Sequence, residues 1–135
     1  MAGKLTHTGI VAWRQGDLAR ARRRIEVGIA VHRRRNNRLA LATILHYLGF
    51  VARDEGRFDE ERACYEEALA LHQETGNRKG AAEMHVLLGD WARGRGNHAA
   101  ARRHYEQAQT LFRQAGEPRE AERILRKDLP CGARN

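Results

Sequence analysis

The sequence contains no serine, two cysteines and two prolines, and these shortages exclude several kinds of structure and chemistry. Without serine, hydrolysis or acyl transfer by a serine nucleophile is excluded. Cys64 and Cys131 form neither a metal-binding spacing nor a disulfide framework, so we expect both to be reduced thiols. Four glutamates lie close to Cys64 in the sequence and disfavour its thiolate, which argues against a catalytic cysteine.

Long apolar runs are also absent. No stretch approaches the roughly 18 consecutive apolar residues of a membrane helix, and no charged start followed by an apolar run indicates a signal peptide. We therefore expect a cytoplasmic protein without membrane contact. Residues that favour strands are sparse, whereas Ala, Leu, Arg and Glu, which lose little on entering a helix, are abundant. The composition predicts an all-α fold, and 135 residues give room for one domain.

The sequence repeats itself with a period of forty residues. Two glycine columns, one alanine column and one column of large apolar residues recur at this offset. They are Gly9, Gly49 and Gly89; Gly16, Gly56 and Gly96; Ala12, Ala52 and Ala92; and Ile25, Tyr65 and Tyr105. Large side chains opposite small ones let neighbouring helices approach to about 8–10 Å, so the repeat is a packing unit.

Each repeat contains two amphipathic helices on either side of a glycine turn. We predict helices near residues 3–15, 18–34, 38–54, 58–74, 79–93, 98–114 and 118–128. The repeats fall at about 2–41, 42–81 and 82–121, and a capping helix follows at about 118–128. Together they form one predicted domain over residues 1–129, with a disordered tail at 130–135.

A leucine–glycine pair, a turn glycine and later aromatic and small residues define a motif in the second and third repeats. Its members are Leu48, Gly49, Gly56, Phe58, Tyr65, Ala68 and Leu69, then Leu88, Gly89, Gly96, Tyr105 and Ala108. The motif resembles the tetratricopeptide repeat (TPR), in the variant with longer helices found in bacterial signalling and transcription-regulator sensor domains. The resemblance implies a right-handed superhelical α-solenoid that serves as a scaffold and not as an enzyme.

The resemblance also implies a concave groove lined by the first helix of every repeat. Three residues from each repeat, at positions i, i+4 and i+7, are predicted to line it. They are Thr6, Ile10 and Trp13; His46, Phe50 and Arg53; and Val86, Asp90 and Arg93. The mixture of aromatic, basic and acidic side chains favours a binding surface, with a merely solvated inner face as the alternative. The expected ligand is a peptide or a partner helix.

Charge is concentrated at the amino-terminal end. Residues 1–40 carry a net charge of +8, residues 41–80 carry −3, and residues 81–135 carry +3. The excess forms a predicted basic patch of Arg20, Arg22, Arg23, Arg24, Arg33, Arg34, Arg35 and Arg38. Three interpretations remain open: an acidic protein or nucleic-acid partner, stacking on the acidic middle of a second copy, or a solvated face.

The histidines do not predict a metal site. His32 and His72 share a repeat column, which indicates packing or a half-exposed surface. His98 and His104 are six residues apart, so they point to different faces of a helix. We expect no metal and no cofactor, and the sequence has neither a phosphate loop nor a dinucleotide fingerprint.

Two functions remain. The first is a protein-interaction scaffold, and the alternative is a nucleic-acid-associated regulator that uses the arginine-rich amino-terminal repeat. The uncovered side of the first helix also predicts a homodimer through the amino-terminal end. Met1 and the tail from Pro130 are compatible with an intact small protein, and a piece of a larger regulator is the alternative.

Overall fold

The computed structural model describes the backbone of residues 2–127 and the side chains of residues 7–124. This part of the chain contains seven α-helices and no strand. They are α1 (Ala2–Arg14), α2 (Leu18–Arg34), α3 (Arg38–Asp54), α4 (Phe58–Glu74), α5 (Arg78–Gly94), α6 (His98–Gln114) and α7 (Pro118–Lys127). The predicted all-α fold and the seven helices are confirmed. Every described boundary lies within one residue of its predicted position, while residue 128 and the predicted tail at 130–135 lie outside the described residues.

The turns between the helices explain why the observed helix boundaries lie so close to the predicted ones. A glycine with positive φ ends the preceding helix in the turn before five of the helices, as at Gly56 with φ 77° and Gly96 with φ 80°. Asn36, with φ 53°, takes the same left-handed conformation between α2 and α3. After Asn36 and Gly96 the next residue is the N-cap of the following helix. The side chains of these caps, Asn37 and Asn97, accept hydrogen bonds from backbone N–H groups of the helix's first turn.

The described residues divide into two compact units at Leu71, near the end of α4. In the first unit, α2 packs against both α1 and α3. Its core is built from alanines and branched side chains with less than 9% of their surface exposed. It includes Ala12, Ala21, Ile25, Leu41, Ala42, Ile44, Leu45, Leu48, Val51, Ala52, Cys64, Tyr65 and Ala68.

The second unit begins at His72, and in it α6 packs against α5 and α7. A core cluster joins the three helices through Ala82, Ala92, Ala101, Tyr105, Ala108, Phe112, Ala121 and Ile124. The predicted covering of the third repeat by a carboxy-terminal helix is therefore visible in the contact between α7 and α6. The single domain predicted over residues 1–129 stays a prediction.

A glycine–tyrosine contact sets the approach of paired helices in both units. The ring of Tyr65, only 1% exposed, lies against Gly49, and the ring of Tyr105 lies in the same way against Gly89. A methyl group at Gly49 would overlap the Tyr65 ring, and one at Gly89 would lie 2.5 Å from Cε1 of Tyr105. In the first repeat Ile25 replaces the tyrosine, and its Cγ1 would lie 2.9 Å from a Cβ at Gly9.

Gly49→Ala should therefore destabilise the protein by about 1–3 kcal/mol, because a fully buried ring cannot move aside for the added methyl group. Gly94→Ala is the matched control, since Gly94 is helical and has nothing within 4 Å of the Cβ it would gain. The control should be neutral or stabilising by up to about 1 kcal/mol. Thermal and urea unfolding measure both, and equal stabilities for the two variants would contradict the proposed packing role of Gly49.

Candidate functional site

An aromatic platform lies in the first unit, formed by Trp13 of α1 and His46, Tyr47 and Phe50 of α3. Phe50 is its centre, stacked on Trp13 with 5.2 Å between ring centroids and 26° between planes. His46 and Tyr47 meet Phe50 edge-on, at centroid distances of 4.6 and 5.8 Å. All four rings are half-buried, so each keeps part of its surface in contact with solvent.

Charged side chains surround this platform. The guanidinium of Arg53 lies over the Phe50 ring, 4.8 Å from its centroid, in a cation–π geometry. The indole Nε1 of Trp13 donates a 2.7 Å hydrogen bond to Oδ2 of Asp54, which fixes the Trp13 ring across the two helices. Nε of Arg53 lies 3.3 Å from the other Asp54 oxygen. Because the Arg53 side chain is 44% exposed, the platform presents a cation to solvent beside an apolar ring.

The structure brings together four of the six groove residues predicted in this unit. Trp13, His46, Phe50 and Arg53 form one cluster, and Ile10 is half-buried on α1. Thr6 lies on α1, among residues whose side chains are outside the described set.

Sequence reasoning missed Tyr47 and Asp54. Each directly follows a predicted groove residue, so neither falls on the i, i+4, i+7 stripe. A search for aromatic residues beside the stripe would have found Tyr47. Nothing in the spacing shows that Asp54 accepts the indole hydrogen bond.

The three groove residues predicted in the second unit make contacts within that unit. Val86 is half-buried and packs on the core cluster. Oδ1 of Asp90 accepts a 2.5 Å hydrogen bond from the hydroxyl of Tyr105, while Nη2 of Arg93 lies 3.7 Å from the same oxygen. The Arg93 guanidinium is also 5.9 Å from the centroid of the Tyr105 ring. These polar groups thus position one another around the buried tyrosine.

The predicted basic patch separates into two kinds of arginine. Arg22, whose side chain is 14% exposed, reaches from α2 to the turn between α3 and α4. There it donates hydrogen bonds to Glu55 at 2.5 Å and to Glu60 at 2.8 Å, and Glu26 lies 3.5 Å away. The two bonded carboxylates raise the pKa of Arg22, and the guanidinium in turn lowers the pKa of Glu60. Arg22 is therefore a structural clamp within the unit.

Arg33 makes a second, more exposed clamp, with 2.7 Å between its Nη1 and Oε2 of Glu67. Its pKa is raised by the hydrogen bond to that carboxylate. The other arginines of the patch lie at the surface of the protein. Arg20, Arg23, Arg34, Arg35 and Arg38 are exposed, and Arg24 is half-buried.

Three buried histidines have a lowered pKa, chiefly because burial penalises the charged imidazolium. They are His32, His72 and His85, each with 7% or less of its surface exposed. The packing role expected for His32 and His72 agrees with this burial. The pKa of His85 falls to about 4, and His104 contributes to the shift, since the two Nδ1 atoms are 3.1 Å apart.

Catalytic or metal-binding clusters are not apparent in the described part of the chain. No group of three or more His, Cys, Asp or Glu side chains there has the geometry to hold a metal ion. Cys64 is buried among apolar atoms, which raises the pKa of its thiol to about 12. A thiol with such a pKa is almost entirely protonated at neutral pH and is a poor nucleophile. The second cysteine, Cys131, lies outside the described residues.

Two family profiles match the sequence over its helical repeats. The tetratricopeptide repeat profile matches residues 40–114, and a second tetratricopeptide repeat profile matches residues 5–26. The chain belongs to the tetratricopeptide repeat family. The expected fold class, an all-α solenoid of helical repeats, is thereby confirmed, and repeats of this family generally mediate protein–protein interaction.

The crystal structure of BtubC (BKLC) from P. vanneervenii is similar to this TPR protein, with a TM-score of 0.74 and 16% sequence identity. The match covers 94% of the chain and 61% of the BtubC chain, so this protein spans less than two thirds of that structure. At this identity the similarity concerns the fold. No curated protein sequence matches the chain. Among the described helices, none has the length and apolar character needed to cross a membrane.

Arg22→Gln should destabilise the protein by about 1–3 kcal/mol, because the poorly exposed Glu55 carboxylate, 17% accessible, then keeps only the longer, 3.7 Å contact with the exposed Arg57. The loss should be smaller than for a fully buried pair, since water reaches Glu60. Arg23→Gln, next to it on α2 but exposed, should change stability by less than about 0.5 kcal/mol. Urea unfolding measures both, and similar values for the two variants would rule out the clamp.

Acid should destabilise the protein through the buried histidines. Above pH 6.5 these side chains are neutral in both states; below it the unfolded chain binds protons that the folded protein does not. For His85, stability is lost as the pH falls from about 6.5 to about 4, on the order of 3 kcal/mol in total.

The control replaces both members of the pair by the residues found forty positions earlier, Leu45 and Cys64. His85→Leu with His104→Cys should reduce the fall in melting temperature between pH 7 and pH 4.5. An unchanged acid dependence in this double variant would show that the His85–His104 pair is not its source.

Proposed function

We propose that this protein is a scaffold that binds a peptide or partner helix along the first helices of its repeats. The proposed groove consists of Thr6, Ile10, Trp13, His46, Phe50, Arg53, Val86, Asp90 and Arg93. The aromatic platform with Arg53 over Phe50 is the observation that carries the proposal. Membership of a family whose repeats generally mediate protein–protein interaction supports it.

The chemistry of the platform favours a ligand with an apolar side chain next to a carboxylate. Trp13 and Phe50 offer stacked rings that are already fixed, so little conformational entropy is lost when an apolar side chain packs on them. Arg53 stands at the edge of the same rings with a partly exposed guanidinium, which can pair with a carboxylate. Aromatic residues and arginine are also the types most often responsible for binding energy at interfaces.

The Asp90–Tyr105–Arg93 arrangement suggests a different role for the second unit. The Asp90 carboxylate already accepts the hydrogen bond of the Tyr105 hydroxyl and lies 3.7 Å from Arg93, so it has less to offer a ligand than an uncommitted carboxylate would. We assign the main binding energy to the stacked rings of the first unit.

The remaining parts of the proposal concern class and location. A binding role without catalysis is proposed from the family and from the raised pKa of Cys64. A cytoplasmic location is supported by the same buried and unpaired thiol. A signalling context is proposed from the resemblance to the repeat variant with longer helices. The homodimer predicted through the amino-terminal end is supported by Ile10 and Val11, which are only half-buried on α1.

The alternative function is a nucleic-acid-associated regulator that uses the arginine-rich amino-terminal repeat. It depends on α2, which contributes no side chain to the aromatic platform. The two proposals can therefore be tested with separate variants.

The groove proposal is tested with a phage-displayed library of random peptides of about twelve residues. We expect the selected peptides to combine an apolar or aromatic residue with Asp or Glu. Phe50→Ala with Arg53→Ala should weaken a selected peptide at least tenfold, since each hot-spot residue contributes more than about 1 kcal/mol. Fluorescence anisotropy measures the affinity, and circular dichroism verifies that the helices persist.

The matched control also removes one phenylalanine and one arginine from the first unit. Arg57→Ala with Phe58→Ala, at the turn before α4, should leave the affinity within about twofold. If both double variants weaken the peptide equally, or if neither does, the platform is not the binding site.

A further inference from the structure

The basic patch of α2 is ordered by helical geometry into two faces. Neighbouring residues of a helix are about 100° apart, and eleven residues complete about three turns. Arg22 and Arg33 are eleven residues apart, so they share one face, the face that reaches Glu55, Glu60 and Glu67. Arg23 and Arg34 are likewise eleven apart and share the next face.

This second face forms an outer stripe along nearly the whole helix. It consists of Arg20, Arg23, Val27, Ala30 and Arg34, all exposed. Fourteen residues separate its ends, which corresponds to about 21 Å along the axis. For the three arginines of the stripe, the described residues provide no side-chain ion pair.

No carboxylate interrupts the outer stripe. The one acidic residue of α2 is Glu26, which lies beside the stripe and within 3.5 Å of Arg22. The acidic residues that reach α2 from α4 and from the turn before it contact Arg22 and Arg33 on its other face. The unit therefore pairs the arginines of one face of α2 internally and leaves the three arginines of the other face without an ion pair among the described residues.

We infer that the outer stripe binds the phosphate backbone of duplex nucleic acid without reading its sequence. The inference develops the alternative function above and is independent of the groove. Arginine pairs with phosphate oxygens through two parallel hydrogen bonds. Arginine also pairs with guanine in the major groove, but the stripe carries no Asn or Gln that would pair with adenine, so we assign its arginines to the phosphates.

The distribution of charge along the stripe favours a duplex over a single strand. Arg20 and Arg23 lie near one end of α2, and Arg34, followed by Arg35, lies at the other. The two groups are about 18 Å apart along the axis, enough to reach phosphates on both sides of a major groove about 12 Å wide. Between them stand Val27 and Ala30, and no aromatic side chain is present on which single-stranded bases would stack.

The test measures binding of a fluorescent DNA duplex of about 20 base pairs by anisotropy at about 50 and 200 mM KCl. Arg20, Arg23 and Arg34, all changed to Gln, should weaken binding at least tenfold at the lower salt. The slope of log affinity against log salt should fall by about three, because three phosphate contacts are lost. Changing the same arginines to Lys should leave the salt slope within about one of the unchanged protein's, since a lysine retains the charge. The affinity itself should fall less than in the Gln variant, because only the paired hydrogen bonds are lost.

A matched control removes the same charge elsewhere. Arg103, Arg113 and Arg119 are exposed in the second unit, and changing all three to Gln should weaken binding less than about threefold. The Phe50→Ala, Arg53→Ala variant should bind DNA as the unchanged protein does, which separates this result from failure of the groove proposal.

Four outcomes would overturn the inference. The first is no binding by the unchanged protein at about 50 mM KCl and 100 μM protein. The second is an equal loss in both triple variants, which would assign binding to net charge alone. The third is tighter binding of a single strand of the same length. The last is equally effective competition by polyglutamate at matched charge, which would point to an acidic protein partner.

Discussion

The close contact of a tyrosine ring with a glycine in the opposite helix is the constraint on which both units depend. Tyr65 on Gly49 and Tyr105 on Gly89 bring two helices together at positions where no Cβ fits. The alanines around them, such as Ala52 and Ala68, continue the close approach with 0% exposure. The fixed distance between the helices then decides which longer side chains can meet, including the rings of Phe50 and Tyr65, whose centroids are 6.3 Å apart across α3 and α4.

The period of forty residues was sufficient to predict the fold because it combines two local signals. Apolar spacing predicted where helices lie, and the glycines predicted where they stop. Caps such as Asn37 and Asn97 make the starts equally sharp. Local chemistry thus determines the boundaries, and tertiary packing confirms them without shifting any described boundary by more than one residue.

Side-chain partnerships were much less predictable, because they depend on which way each residue faces. In the sequence Arg22 and Arg23 are equivalent members of a basic run, yet Arg22 is held by two carboxylates and Arg23 is exposed. His85 and His104 are nineteen residues apart and meet only because α5 and α6 pair. Phe50 and Asp90 share a repeat column, but one centres an aromatic cluster and the other accepts the hydroxyl hydrogen bond of Tyr105.

The glycine–tyrosine contact lies inside a single repeat, and this position affects how a chain can lengthen by duplication of its repeats. The tyrosine and the glycine that it contacts lie within about twenty residues of each other in the sequence. A duplicated segment therefore carries both residues of the contact. A new copy can pair its own helices without waiting for compensating changes elsewhere. Residues other than these anchors, such as His46 and its counterpart Val86, are then free to diverge, so one inherited framework supplies different surfaces in successive copies.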